Sequence, residues 1–160
     1  SSLTSVGVLV GPTGSPALEV DGAAVLGGRV IEKVFSNMAT GFSLSSNTLT
    51  VVTAAANTIC GETTTANQAI NTWAFTTSDP DGTVLANGQS LTITLIIDSS
   101  TASTYGDDCT VDGNNITTGV RWSGGSPPIA TSNTDILTFL IVKDAAGVIR
   151  VYGQGNTDFS

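Results

Sequence analysis

Asp or Asn followed directly by Gly occurs at 21–22, 81–82, 87–88 and 112–113, and Asp144-Ala-Ala-Gly147 carries the same loop chemistry. Such pairs accept positive φ at little cost, so they close hairpins and interrupt helices. Between them the sequence alternates. In "QSLTITLIID", Leu91, Ile93, Leu95 and Ile97 fall on one face, with Thr92 and Thr94 on the other. "GFSLSSNTLTVV" reads as two short runs, Phe42/Leu44 and Leu49/Val51, around Ser46-Asn47, and "INTWAFT" puts Trp73 and Phe75 on one side. "GRVIEKVF" and "GVIRVYG" are further strand candidates. The nearest helix candidate, "TAAANTICGETTTANQAINTW", is interrupted by Gly61 and three successive threonines. About ten short strands with regular turn signals predict an all-β chain, a β-sandwich or jelly-roll-like domain.

The sandwich is assigned to residues 29–160. Residues 1–28 differ, with Gly or Pro every few positions and only brief apolar patches. They read as an extended N-terminal arm that docks on something, or as edge strands of the same sandwich. Length and apolar content are ample for one core: 160 residues, 40% hydrophobic. Only 11% are charged, and polarity comes from Thr, Ser, Asn and Gly instead. The net charge is -8, and the cations Arg29, Lys33, Arg121, Lys143 and Arg150 form no cluster in sequence, which argues against nucleic-acid binding. No apolar run approaches a membrane span, and no charged-then-apolar leader opens the chain. The expectation is a soluble protein, made in the cytoplasm or already processed.

The stretch "GVRWSGGSPPIATSNTDILTFLIVKD", Gly119 to Asp144, sets the second of two tryptophans beside residues that suit neither helix nor strand. "TGVRW" reads as a strand ending at Trp122. Gly124 and Gly125 turn the chain, and Pro127-Pro128 hold an extended path. A polar reversal leads into "DILTFLIV", with Ile136, Thr138, Leu140 and Val142 on one face and Leu137, Phe139 and Ile141 on the other. Two largely apolar faces predict cover on both sides. Trp122 is expected to be buried against Pro127 or Pro128 and the strand from Ile136. Asp135, at that strand's entry, is expected to accept backbone N–H bonds from the Ser132–Thr134 turn.

Trp122, Gly124, Gly125, Pro127, Asp135, Leu137, Phe139 and Tyr152 carry a resemblance. From Gly119 to Gly153 the chain resembles the closing module of tailed-phage virion proteins, notably from phages of marine and cyanobacterial hosts. The shared pattern is W-x-x-G, then Pro, a short Ser/Thr/Asn stretch, T-D-x-L-x-F, and an aromatic-Gly hairpin. "NGQSLTITL" and "SNMATGFSLSSNTLTVV" share the style of such proteins. The chain departs from the pattern at Arg150-Val-Tyr152, where a Thr-Trp-Tyr type of ending is commoner, and in its tail "QGNTDFS". The resemblance implies a virion structural protein: fibre, collar or capsid decoration, on the particle's outer surface and made in the host cytoplasm. It also implies other virion proteins as partners and a homo-oligomer, with a trimer favoured.

There is no histidine, which removes Ser-His-Asp and Cys-His catalysis and most zinc sites. The expectation is a chain that is not an enzyme and uses no cofactor. Two acidic loops are weak calcium candidates, Asp79 with Asp81, and Asp107, Asp108 with Asp112, although plain turn chemistry explains them as well. Cys60 and Cys109 are expected to be unpaired. Trp122, Tyr105 and Tyr152 are candidates for a sugar-stacking platform. The leading reading is capsid decoration or a short fibre or knob. The alternatives are a module binding host-surface glycan and a bacterial surface or pilus subunit.

Overall fold

A computed structural model describes residues 34–35, 42–52, 58–61, 68–78, 84–97, 102–131 and 133–159. The expected arm and the candidates Asp79 and Asp81 lie outside them. Among the described residues there is no helix. Eleven strands form two sheets. The five-stranded sheet contains β2 (Phe42–Ser45), β3 (Thr48–Val52), β5 (Gln68–Thr76), β7 (Ala102–Val111) and β8 (Asn114–Asn115), in that order. The six-stranded sheet contains β1 (Val34–Phe35), β4 (Thr58–Gly61), β6 (Ser90–Ile97), β9 (Val120–Trp122), β10 (Thr134–Lys143) and β11 (Ile149–Phe159). Its order is β1-β4-β6-β10-β11-β9.

The β-sandwich expected from the turns and alternation is present, and its pairing is mixed. Five of the nine strand pairings run parallel. Three of the five follow from the path of the chain from β3 to β7, where every successive strand enters the opposite sheet. A strand then pairs with its second successor, in the same direction: β3 with β5, β5 with β7, and β4 with β6. Antiparallel hairpins close this coil at either end, β2–β3 and β7–β8, and β10–β11 forms a third. Turn chemistry falls where expected among the described residues, while the pairs at 21–22 and 81–82 lie outside them. Ser46 and Asn47 have φ of 49° and 64°, Asp112 and Gly113 have 50° and 77°, and Gly88 and Gly147 are also positive.

The core lies between the sheets. Leu49, Val51, Trp73, Phe75 and Val111 from one sheet meet Ile93, Leu95, Leu137, Phe139, Ile141 and Val151 from the other, all at most 1% exposed. At roughly 1.5–3 kcal/mol for each such side chain removed from water, this layer is the main stabilising element. β10 occupies the centre of its sheet, hydrogen-bonded to β6 on one side and β11 on the other. Its inner face is closed by the opposite sheet. Its outer face is left open within this chain: Leu140 is 38% exposed and Ile136 and Val142 are half-buried.

Candidate functional site

β7 runs past β5 with a bulge. Ile70 pairs with Tyr105 but Thr72 pairs with Asp108, so β7 carries an extra residue there. Gly106 sits in the bulge, where a Cβ would lie 2.5 Å from the Asn71 carbonyl oxygen. The displaced backbone presents the Gly106 carbonyl to both tryptophans: Trp73 Nε1 donates to it at 2.9 Å and Trp122 Nε1 at 3.3 Å. One kinked peptide thus satisfies the polar atoms of both indoles.

Trp122 is 7% exposed, as expected, and its neighbours refine the sequence reading. Its ring centroid lies 5.4 Å from Phe139 and 5.9 Å from Trp73, both edge-to-face. Its six-membered ring covers Gly153 of β11, where a Cβ would fall 2.6 Å from Trp122 Cε3. Pro128 sits one step along β11, over Gly155 and beside Leu137. Gly124 and Gly125, at φ of 89° and 86°, make the turn, closed by Gly125 N–H donating to the Trp122 carbonyl at 3.0 Å. Pro127 follows, half-buried, and Leu137 and Phe139 are fully buried.

Asp135 is 1% exposed, and both carboxylate oxygens are engaged. Oδ2 accepts from Tyr105 Oη at 2.7 Å and Thr131 N–H at 3.1 Å; Oδ1 accepts from Thr131 Oγ1 at 2.6 Å and Asp158 N–H at 3.1 Å. The donors therefore begin at Thr131, one residue before the expected turn, and include two distant segments that no local pattern pointed to. This carboxylate joins the loop before β10, the end of β11 and the opposite sheet. Asn133 Nδ2 adds a bond to Asp158 Oδ1 at 2.6 Å.

The calcium candidates separate. Asp107 and Asp108 are exposed on β7, while Asp112 accepts from Thr77 N–H and Thr77 Oγ1, each at 2.6 Å. Among the described residues no three His, Cys, Asp or Glu side chains could share a metal ion. The sugar-stacking platform also fails as a trio, because Trp122 and Tyr105 are core residues. Tyr152 alone of the three is open, at 40% exposure. Cys109 is a buried free thiol, while the side chain of Cys60, the other cysteine expected to be unpaired, lies outside the described residues.

Tyr152 lies on the outer face of the six-stranded sheet. Its register partner on β9 is Arg121, also exposed, while the flanking Val120 and Trp122 point inward. A depression of about 430 Å³ opens there, bordered by Thr138, Leu140, Tyr152 and Gln154. A second groove, about 580 Å³, begins at Arg121 and runs to the β10–β11 hairpin between Asn114–Thr118 and Lys143–Arg150. Arg121 borders both. Arg150 is paired with Asp144 at 2.7 Å, which lowers the Asp144 carboxyl below its usual range and raises the guanidinium. Lys143 Nζ donates to the Leu85 carbonyl at 3.0 Å. Scattered in sequence, the three cations of the described residues converge here. Comparison with protein-family models, curated proteins and solved structures returned no match.

Proposed function

We propose that this chain is a non-enzymatic structural protein of a tailed-phage particle, an exterior capsid decoration or a short fibre or knob. The observation that carries the reading is how the residues of the resemblance interlock. Trp122 rests on Gly153, and Pro128 on Gly155. Asp135 ties the T-D-x-L-x-F strand to the loop before it and to the end of β11. The residues of the pattern thus pack together, with Gly155 and Asp158 just beyond it completing the contacts. The chemistry agrees with a structural role: the chain has no histidine, and Asp112, Asp135, Asp144 and Asp158 are engaged in internal bonds.

A particle component also meets copies of itself or its neighbours. The loop before β10 and the end of β11 offer Ile129 at 83% exposure and Phe159 at 47%, apolar groups that gain by burial. A homotrimer is the proposed assembly. Mass spectrometry of purified particles tests the role: tens to hundreds of copies per particle are expected for decoration, and a handful for a fibre or knob. Absence from the particle removes the reading.

A further inference from the structure

We propose that the groove running from Tyr152 past Arg121 to the β10–β11 hairpin binds an acidic saccharide, a sugar chain bearing carboxylates. Charge is the first reason. The chain carries -8, yet among the described residues no carboxylate borders either part of the groove, while Arg121, Lys143 and Arg150 all border it. A recess lined by one sign of charge on an oppositely charged protein concentrates the potential at that place. Arg150 is offset by Asp144, whereas Lys143 Nζ is bonded to a neutral carbonyl that brings no counter-charge. The Arg121 side chain has no hydrogen bond or ion pair among the described residues, so its planar fork is free for a carboxylate.

The rest of the lining selects a sugar. Asn114, Asn115, Thr117 and Thr118 supply amides and hydroxyls, the natural partners of sugar hydroxyls. Tyr152 stands beside Arg121 on the adjacent strand, about 4.8 Å away between backbones, giving a ring to stack on next to a cation. Nucleic acid fits less well, since its regular phosphates call for more cations than the groove holds. The groove lies at the hairpin end of β10–β11, away from the Ile129 and Phe159 end proposed for assembly, so neither inference depends on the other.

Isothermal titration of the full chain with oligogalacturonate and with a neutral galactan oligomer of equal length tests the proposal. Binding of the acidic oligomer alone is expected, with about tenfold weaker binding in Arg121→Ala and in Tyr152→Ala, and retention in Tyr152→Phe. The net charge works against any adventitious polyanion, so a positive result is informative. No binding, equal binding of the neutral oligomer, or binding that ignores Arg121→Ala overturns the proposal. Equal binding of dextran sulfate or single-stranded DNA overturns the saccharide assignment. Thermal melts of each variant guard against loss of fold, and the exposed Arg121 position keeps at least one variant interpretable.

Discussion

Trp122→Ala should cost about 3–5 kcal/mol, the usual loss for a buried large aromatic, as read by urea denaturation. Gly153→Ala should destabilise as well, because its Cβ would enter the Trp122 ring and the Val120 side chain, both core groups. A wild-type midpoint for Gly153→Ala would show that the ring shifts freely. Asp135→Asn replaces an acceptor of four hydrogen bonds by a group with donors of its own, and about 2–4 kcal/mol should be lost. The pH dependence follows from Tyr105 and Cys109. Burial, then the bond to Asp135 and its charge, hold the Tyr105 hydroxyl well above its ordinary 10.0, and burial pushes the Cys109 thiol up from 9.0 to about 12. Both groups are neutral when protonated, and both have folded values above the unfolded ones. Their contribution is therefore complete below pH 9 and lost as pH rises, at up to about 1.4 kcal/mol per pH unit for each. Urea titrations from pH 8 to 11 should show this fall, and Tyr105→Phe should remove one group's share of the slope above pH 10. Cys109 should resist alkylation at pH 8 until the protein unfolds.

At the scale of elements, the β7 bulge and the turn after it organise the five-stranded sheet. Gly106→Ala forces a Cβ against backbone at Asn71, so the bulge must move and both indole N–H groups lose their shared acceptor. The Asp112 turn works differently, reaching across to Thr77 at the end of β5. Thr77 Oγ1 in turn accepts from Leu85 N–H at 3.2 Å, which fixes the entry to β6. Asp112→Ala should therefore speed amide hydrogen exchange at Thr77 and Leu85 while leaving β10 and β11 protected. Equal loss of protection everywhere would mean that the turn holds the whole sandwich rather than one corner.

For the whole molecule, the two ends of the β10–β11 hairpin divide the proposed tasks. One end exposes Ile129 and Phe159, and the other gathers Arg121, Lys143 and Arg150. Light scattering should find an oligomer, three copies by expectation, that Ile129→Asp shifts toward monomer without changing the thermal melt. A monomeric wild-type chain at micromolar concentration would remove self-association from the proposal. Opposed surfaces of this kind suit a particle component, with one side turned to its neighbours and the other outward.

Much of this was legible in sequence, and the remainder has a common cause. Alternation and the Asp-Gly and Asn-Gly turns are local, each requiring only neighbouring residues, so β2, β3, β5, β6, β9, β10 and the start of β11 could be read directly, whereas β4 goes unread and β7 reads as an acidic loop because Gly106 and two aspartates interrupt its alternation. The isolated glycine within "STYGDDC" is the local sign of the β7 bulge. Partners distant in sequence could not be read. Period-two alternation is the same whether a strand's neighbour runs parallel or antiparallel, so the sheet-switching path was invisible. Nothing local marks Tyr105 or Asp158 as a partner of Asp135, or draws Arg121 to Lys143 and Arg150. The sequence alone determined which residues share a face and where the chain turns, because those follow from one residue's neighbours. Only the tertiary structure decided which strands meet, and therefore where the buried carboxylate finds its donors and where the few positive charges collect.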